Sequence, residues 1–300
     1  MAGGGDVKIL TLDIGGTAIK YGISDVPGEL RFVRECPTNA VAGAQQVIQE
    51  VLEIVGLFPD ADGIAIATAG TVDPLDGSIR YATDNLPGYT GTPLGRLVAQ
   101  NSGKPVVVEN DVYAAALGEL YFGHGRHLRD FLFLTYGTGI GGAVIRQGTL
   151  FRGAHGTAGY FGHIRTHAGG RNCTCGQRGC YEAYASSRAL FRDIERETGE
   201  RLDGRRLFSQ PVTEPKILGC MDTWIDEVCL GLVTLCNAFD PEGIVLGGGV
   251  MVQLSLIGEI RQRLPGCLPP TGRNVVILGS ELGNTAGMLG VAQIMRMGWK

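Results

Sequence analysis

Two segments of the chain repeat one pattern, and this repeat constrains the fold more than any other feature of the sequence. Residues 10–24 read LTLDIGGTAIKYGIS, and residues 132–146 read LFLTYGTGIGGAVIR. Each segment has an apolar run, a turn of small residues and a second apolar run, which is typical of two strands joined by a tight turn. A supersecondary unit used twice indicates duplicated α/β domains. The 300 residues are enough for two domains with separate cores.

The remaining pattern alternates short apolar strands with amphipathic helices. Strands are predicted at 7–13, 18–24, 31–36, 63–68, 105–109, 131–135, 141–146 and 149–151. Helices are predicted over 42–55, from 110 to about 121, over most of 185–238 and over 285–297. The stretch 264–273 (LPGCLPPTGR) is rich in turn residues and predicts a connection between elements.

Composition excludes two classes of partner. A formal net charge of -4 provides no basic stripe for a nucleic-acid backbone. No run approaches the roughly 20 apolar residues that a membrane span needs, and Met1–Asp6 lacks the features of a signal peptide. Three of the eight cysteines crowd into residues 173–180, which indicates one metal site rather than disulfides. We therefore expect a cytoplasmic protein that binds neither nucleic acid nor membrane.

Glycines cluster where backbone could approach a ligand closely. Gly15, Gly16 and Thr17 form the first turn of the repeat, and Gly137, Thr138 and Gly139 form the second. Such turns present backbone N–H groups to an oxyanion, and Asp13 could hold Mg²⁺ through water. Gly247, Gly248 and Gly249 follow an apolar strand and could lie against the adenosine of a nucleotide. The alternative at each site is an ordinary tight turn, and none matches a P-loop.

Asn110 and Asp111 follow a predicted strand and open a predicted helix. A carboxylate there can accept a proton from a substrate hydroxyl, and the helix dipole favours its ionised form. The alternative is an N-cap pair, which is a common use of both residue types. Local sequence alone favours the cap.

A zinc site is indicated by His163 with Cys173, Cys175 and Cys180. Three thiols and an imidazole so close in sequence can make a closed tetrahedral site, which is structural Zn²⁺ chemistry. His155 and His167 are alternative ligands to His163. Glu182 follows the last cysteine and would be held rigidly where it could bind a sugar diol, although a solvated surface glutamate is the alternative.

Together these segments resemble the ROK family, whose repressors, open reading frames and sugar kinases share an actin-like ATPase fold. The resemblance lies in the motifs LDIGGTAIK (12–20), TAGTVDPLDG (68–77), VENDVYAAALGE (108–119), LTYGTGIGGAVI (134–145), HGTAGYFGHI (155–164), CTCGQRGCYEAYAS (173–186) and IVLGGGV (244–250). It implies two actin-like (ribonuclease H-like) α/β domains with a cleft between them. We place the first domain at 1–111 with a returning helix at 285–300, and the second at 112–284.

The resemblance also implies a role for each matching residue. The expected ligands of ATP and its Mg²⁺ are Asp13, Gly15, Gly16, Thr17, Gly137, Thr138, Gly139, Gly247, Gly248 and Gly249. The expected sugar-binding residues are Gly70, Thr71, Thr83, Asn110, Asp111, Tyr160, His163 and Glu182. Asp111 would deprotonate the 6-hydroxyl of the sugar for attack on the γ-phosphate. Family members are often dimers or tetramers, so we expect a homodimer or homotetramer.

One position departs from the family pattern. The family usually reads G-x-x-G-E-x-G-H, whereas this chain has Tyr160 where the glutamate is expected. A phenol offers one hydroxyl in place of two carboxylate oxygens and adds a ring on which an acyl group or second sugar could stack. The hypothesis is a preference for an N-acylated hexosamine, a glycoside or a disaccharide over free glucose.

Two other functions are consistent with the family. One is a sugar-responsive regulator, but family repressors carry an N-terminal winged helix-turn-helix, and here the first glycine turn begins at Gly15. The other is an ATP-binding scaffold without activity. Retention of Asp13 and Asp111 favours the active kinase.

Overall fold

The computed structural model describes residues 7–83 and 85–298, which divide into two compact units. Unit 1 contains the described residues up to Arg126, the segment Gly153–Thr157 and the described residues from Asn284 onward. Unit 2 contains His127–Arg152 and Ala158–Gly283. The sequence analysis placed the boundary between the two domains after residue 111. Residues 1–6, 84, 299 and 300 of the predicted domains lie outside the described residues.

Nine of the twelve strands in the described residues follow predicted apolar runs, whereas those at 71–72, 79–81 and 276–279 were not predicted. The strands are β1 (Ile9–Ile14), β2 (Ala18–Ser24), β3 (Arg31–Pro37), β4 (Gly63–Thr68), β5 (Thr71–Val72), β6 (Ile79–Tyr81), β7 (Val106–Asn110), β8 (Phe131–Tyr136), β9 (Ile140–Arg146), β10 (Thr149–Phe151), β11 (Gly243–Gly247) and β12 (Val276–Gly279). Residues of β4 and β11 are buried throughout, because a central strand covered on both faces needs a continuous apolar run.

The two units are built on sheets of the same topology. The strand order is β3-β2-β1-β4-β7 in unit 1 and β10-β9-β8-β11-β12 in unit 2. In each sheet the first three strands are antiparallel neighbours, and the last two continue parallel to the third. This repeated order agrees with the duplication predicted from the two strand–turn–strand segments. In both units the glycine turn lies between the third strand of the order and its antiparallel partner.

The described helices are α1 (Ala44–Gly56), α2 (Leu94–Ser102), α3 (Asp111–Phe122), α4 (Glu182–Ala185), α5 (Ser187–Thr198), α6 (Gly204–Leu207), α7 (Pro215–Phe239), α8 (Leu254–Cys267) and α9 (Ala286–Arg296). The predicted connection at 264–273 begins later than expected, because α8 continues through Pro265 to Cys267. None of the helices formed by the described residues combines the length and apolar character that a bilayer crossing requires.

The division between units differs from the predicted one because α3 packs closely on α9 within unit 1. Gly118 of α3 lies so near Ala286 that an added Cβ would overlap the Ala286 carbonyl. Gly290 of α9 lies equally near the carbonyl of Ala114. Two helices that share backbone contacts form one packed layer, so α3 belongs to unit 1 with α9. Each unit has its own hydrophobic core, around Leu12 and Val51 in unit 1 and around Leu134 and Trp224 in unit 2.

Candidate functional site

The first glycine turn joins β1 to β2 in unit 1. The N–H of Gly15 donates to the carbonyl of Ala18 over 3.0 Å, and the hydroxyl of buried Thr38 donates to the carbonyl of Gly15 over 2.7 Å. Gly16 and Thr17 are exposed, and an added Cβ on Gly16 would meet nothing closer than 3.7 Å. The fold therefore anchors the turn at Gly15 and leaves Gly16 and Thr17 exposed. An exposed turn of small residues suits a ligand that approaches the backbone.

Asn110 caps helix α3, as the alternative interpretation of this pair expected. Its Oδ1 accepts hydrogen bonds of 3.0 Å from the backbone N–H groups of Val112 and Tyr113. Its Nδ2 donates to the carbonyl of Gly70 over 2.9 Å and to Oδ1 of Asp111 over 2.8 Å. Because all these bonds use one amide, Asn110 holds the helix start, the Gly70 loop and the Asp111 carboxylate together.

Asp111 is the first residue of α3, and its ionisation differs from what the helix dipole alone predicts. Burial raises the pKa of Asp111 to about 7, and the nearby negative charge of Asp13 adds to the increase. Hydrogen bonds from the N–H of Val112 and from Asn110 oppose this pKa shift without cancelling it. Burial likewise raises the pKa of Asp13, although the charge of Lys20 opposes that shift. Unit 1 thus contains two neighbouring, partly buried carboxyl groups, each with a raised pKa.

The other predicted sugar-binding residues of unit 1 are brought together only in part. Gly70 lies against Asn110 and has a φ of 105°, and an added Cβ would come within 2.7 Å of the Tyr81 carbonyl. Thr71 begins the buried strand β5. Thr83 is exposed, and its backbone carbonyl accepts a hydrogen bond from Leu86. The structure therefore places Gly70 at the Asn110–Asp111 pair and gives no such contact for Thr83.

The second glycine turn joins β8 to β9 in unit 2. The N–H of Gly137 donates to the carbonyl of Gly139 over 3.0 Å. The carbonyl of Gly137 accepts hydrogen bonds from the N–H of Ser187 over 3.0 Å and from its hydroxyl over 2.6 Å. Thr138 is exposed at the tip of the turn. As in unit 1, a side-chain hydroxyl distant in sequence, here that of Ser187, anchors the turn by a hydrogen bond to a turn carbonyl.

The three glycines after β11 differ in how strictly the fold requires glycine at their positions. Gly248 has a φ of 95°, and an added Cβ would overlap the backbone of Tyr136, directly before the second glycine turn. Packing alone therefore requires glycine at 248. Gly247 ends the buried strand, where an added Cβ would lie 3.2 Å from the Phe133 ring. Gly249 is exposed, and an added Cβ there would meet nothing within 4 Å. The fold does not require glycine at 249.

The predicted metal ligands converge in unit 2. One donor atom from each of His163, Cys173, Cys175 and Cys180 lies within 4.8 Å of the other three. The Sγ atoms of Cys175 and Cys180 are 3.7 Å apart, and Cys173 Sγ lies 3.7 Å from His163 Nδ1. A tetrahedral ion with metal–sulfur distances of about 2.3 Å would separate two sulfur ligands by about 3.8 Å. The donor set and its spacing therefore fit a four-coordinate zinc ion.

The tertiary structure distinguishes among the three candidate histidines. His155 is not among the described ligand atoms that cluster. His167 stacks on Tyr184 with ring centroids 4.0 Å apart, and its Nε2 lies 3.5 Å from the carboxylate of Glu227. His163 alone of the three belongs to the cluster of described ligand atoms.

Glu182 begins helix α4 beside the cysteine cluster and is not a solvated surface residue. Its Oε1 accepts a hydrogen bond of 2.8 Å from the Thr174 hydroxyl and one of 3.1 Å from the Cys173 thiol. Its Oε2 faces Gly139, where an added Cβ would lie 2.8 Å away. Glu182 thus connects the metal loop with the second glycine turn.

Tyr160 lies close to the only cluster histidine. Its side chain is 42% exposed, and its ring meets that of His163 edge to face at a centroid distance of 6.2 Å. The N–H of His163 donates to the Tyr160 carbonyl over 3.0 Å. A molecule beside His163 would therefore lie near a partly exposed aromatic ring.

Sequence reasoning missed the hydroxyls that position these groups. Thr38 anchors the first glycine turn, Ser187 anchors the second, and Thr174 donates to Glu182. Thr38 and Ser187 are distant in sequence from the turns that they hold, so no local pattern indicates them. Thr174 lies between two predicted ligands but carries no signal of its own.

Comparisons with known proteins support the resemblance. The sequence profile of the ROK family matches residues 9–297. A glucokinase of Streptomyces coelicolor is 33% identical over 307 residues, which cover 95% of this chain and 96% of that protein. A beta-glucoside kinase of Listeria innocua is 30% identical over 292 residues, which cover 95% of this chain and 96% of that protein.

A solved structure of a relative matches the fold as well. The ROK family glucokinase of Streptomyces griseus, in complex with glucose and AMPPNP, has a TM-score of 0.84 at 30% identity, covering 97% of this chain and 100% of that chain. The prediction of an actin-like α/β fold is therefore confirmed. The family profile extends over nearly the whole described chain, and the chain belongs to the ROK family.

Proposed function

We propose that this protein transfers the γ-phosphoryl group of ATP to the 6-hydroxyl of a hexose-type sugar, with Asp111 as the general base. Within its family it is a sugar kinase. The observation that carries the proposal is the carboxyl group of Asp111, which the structure holds at a helix start with a pKa of about 7. A base is most effective when its pKa lies near the operating pH, so this group suits proton abstraction at neutral pH.

The hydrogen bonds of Asp111 indicate which oxygen would act. The N–H of Val112 and the Nδ2 of Asn110 both donate to Oδ1. We therefore assign Oδ2 as the atom that takes the proton from the sugar hydroxyl as oxygen attacks phosphorus. Asn110 would also orient the sugar, with Gly70, Thr71 and Thr83 as further contacts from unit 1.

The nucleotide would be held mainly by backbone. The amides of Gly16 and Thr17 would bind phosphate oxygens, as would those of Thr138 and Gly139. Gly15 and Gly137 would contribute by closing the two turns, since their N–H groups donate within the turns. Gly249, whose glycine the fold does not require, would lie with Gly247 and Gly248 against the adenosine. Asp13 fits a role at Mg²⁺, because its buried carboxyl has a raised pKa that a nearby cation would lower. The Mg²⁺ supplies charge that neutralises the phosphates during transfer.

In unit 2, His163, Cys173, Cys175 and Cys180 would hold a structural zinc ion. Zinc sites with four protein ligands contribute to folding rather than to chemistry. His163 and Glu182 would then present an imidazole and a carboxylate to the sugar hydroxyls from a rigid loop. The reaction uses cytoplasmic metabolites, so we place the enzyme in the cytoplasm, as a homodimer or homotetramer like many family members.

The proposed sugar preference rests on Tyr160. Its exposed ring beside His163 offers a stacking surface, and its phenol offers a single hydroxyl. We infer a preference for an N-acylated hexosamine, a glycoside or a disaccharide over free glucose. The relatives named glucokinase and beta-glucoside kinase show that both kinds of acceptor occur in the family.

A coupled assay of ADP release tests the proposal with glucose, N-acetylmannosamine and a β-glucoside as acceptors. We expect sugar-stimulated turnover, highest with a substituted sugar, and a loss of about 10² to 10⁴ in kcat for Asp111→Asn. The variant Tyr160→Glu should shift the ranking towards glucose. Absence of turnover with every acceptor would support a regulator or scaffold, and near-normal activity of Asp111→Asn would refute the assigned base.

A further inference from the structure

Thr174 lies between two of the metal-site cysteines, and its hydroxyl points to Glu182. The Thr174 Oγ1 donates to Glu182 Oε1 over 2.8 Å. The side chain of Thr174 is exposed, so it contributes little to any core. Its hydroxyl also lies 4.0 Å from Cys173 Sγ, so its shortest polar contact is the one with Glu182, a carboxylate eight residues later in the chain.

Glu182 Oε1 has a second, longer contact. The thiol of Cys173 lies 3.1 Å from Oε1 and donates to it. The Thr174 hydroxyl is the nearer donor, and it is also the stronger one, because a thiol donates only weak hydrogen bonds.

The other oxygen of Glu182 faces the second glycine turn and the segment that carries His163. An added Cβ would lie 2.8 Å from Oε2 at Gly139 and 3.2 Å at Gly162. The N–H of Ile140 donates to Oε2 over 3.5 Å, which is a weak hydrogen bond. Because that bond is weak, the carboxylate depends on the strong bond at Oε1 for its orientation.

From these contacts we propose that Thr174 is a positioning residue, which fixes the Glu182 carboxylate in the orientation that binds the sugar. This inference rests on the proposed function, in which Glu182 contacts sugar hydroxyls. Without the Thr174 hydroxyl, the Glu182 carboxylate would lose its shortest hydrogen bond, and sugar binding would have to restore its orientation. The nucleotide turn would keep its own anchor at Ser187.

The test uses Thr174→Val, which keeps the shape of the side chain but removes the hydroxyl, and Thr174→Ser, which keeps the hydroxyl. Sugar affinity is measured by calorimetry on the zinc-loaded full chain with glucose, N-acetylmannosamine and a β-glucoside. We expect Thr174→Val to weaken sugar binding about tenfold, because one hydrogen bond to a charged acceptor is lost. The KM for ATP, the zinc content and the melting temperature should stay unchanged, and Thr174→Ser should bind as the wild type does.

A double-mutant cycle with Glu182→Gln separates this role from a general effect on the loop. If Thr174 acts through Glu182, Thr174→Val should weaken binding little further in the Glu182→Gln background. Wild-type affinity in Thr174→Val, an equal loss in both backgrounds, or failure of Thr174→Ser to restore binding would each overturn the inference.

Crystal structures of the zinc-loaded wild type and Thr174→Val test the positioning without any sugar. We expect the Glu182 carboxylate to leave its position beside Gly139 in the variant, and an unmoved carboxylate would overturn the inference. If the wild type binds none of the three sugars, the proposed function fails, and these two structures still decide whether Thr174 positions Glu182.

Discussion

Replacing Asp111 by Asn should stabilise unit 1 at neutral pH while it removes the proposed base. The carboxyl has a pKa of about 7 in the folded protein against 3.8 for an ordinary aspartate. Below pH 3.8 the group is protonated in both the folded and the unfolded state, so it does not affect the free energy of unfolding. As pH rises from there to about 7, only the unfolded state ionises, and the folded state becomes progressively less stable.

Each unit of pKa corresponds to about 1.4 kcal/mol, so the full difference is of order 4 kcal/mol. Asp111 keeps some access to solvent, which screens part of this effect, and we expect about 2 kcal/mol. For a unit of this size that corresponds to about 4 to 8 °C in the melting temperature. Asn carries no charge, so the variant avoids the destabilisation at every pH.

Melting curves of the wild type and Asp111→Asn between pH 5 and 8 measure the effect. The difference in melting temperature should widen up to about pH 7 and then level off, whereas the same substitution at the exposed turn residue Asp60 should give no such widening. In parallel, kcat/KM of the wild type should rise about tenfold per pH unit below pH 7 and reach a plateau above it, because the base must be ionised. Parallel melting curves for wild type and variant across this range would refute the reasoning.

Three further outcomes are expected. Gly248→Ala should lose several kcal/mol of stability, because its φ of 95° and its close backbone neighbour exclude a Cβ. Gly249→Ala should fold normally and raise only the KM for ATP. The reverse pattern in thermal melts and kinetics would contradict both assignments. Elemental analysis should find one zinc per chain, and Cys175→Ser should lower both the zinc content and the melting temperature. Absence of zinc from the wild type would contradict the assignment of the cluster. Ser187→Ala should raise the KM for ATP several-fold with little change in the KM for the sugar, since it removes the 2.6 Å hydrogen bond that anchors the second glycine turn. An unchanged KM for ATP would show that the hydrogen bond from the Ser187 N–H is enough to hold the turn.

Most strands and the duplication could be predicted from the sequence because their signal is local. Runs such as GIAIAT at 63–68 are buried along their whole length, and the period of apolar residues reports this directly. The limits of the two units could not be predicted in this way. They depend on α3 lying against α9, a contact between segments about 170 residues apart that two glycines make possible.

The cluster that could hold a metal ion could also be predicted in large part, because its three cysteines lie within one short loop. Only the tertiary structure selects His163 over its neighbours, since His167 is engaged with Tyr184 and Glu227. The role of Thr174 beside Glu182 likewise depends on how the loop folds back on α4. Sequence spacing predicts which residues can meet, but the direction of each side chain depends on the backbone that carries it.

By itself the sequence determined the family, the repeated α/β pattern, the glycine turns and the cluster of three cysteines, because each depends on neighbours in the chain. The tertiary structure decided the ionisation of Asp111. Local sequence predicts a capped helix start whose dipole favours the charged carboxylate. Burial, and the negative charge of Asp13 from a strand almost a hundred residues earlier, raise its pKa to about 7 instead. Electrostatic energy depends on the distance between charges in space and on their access to water, and neither can be read from the sequence alone.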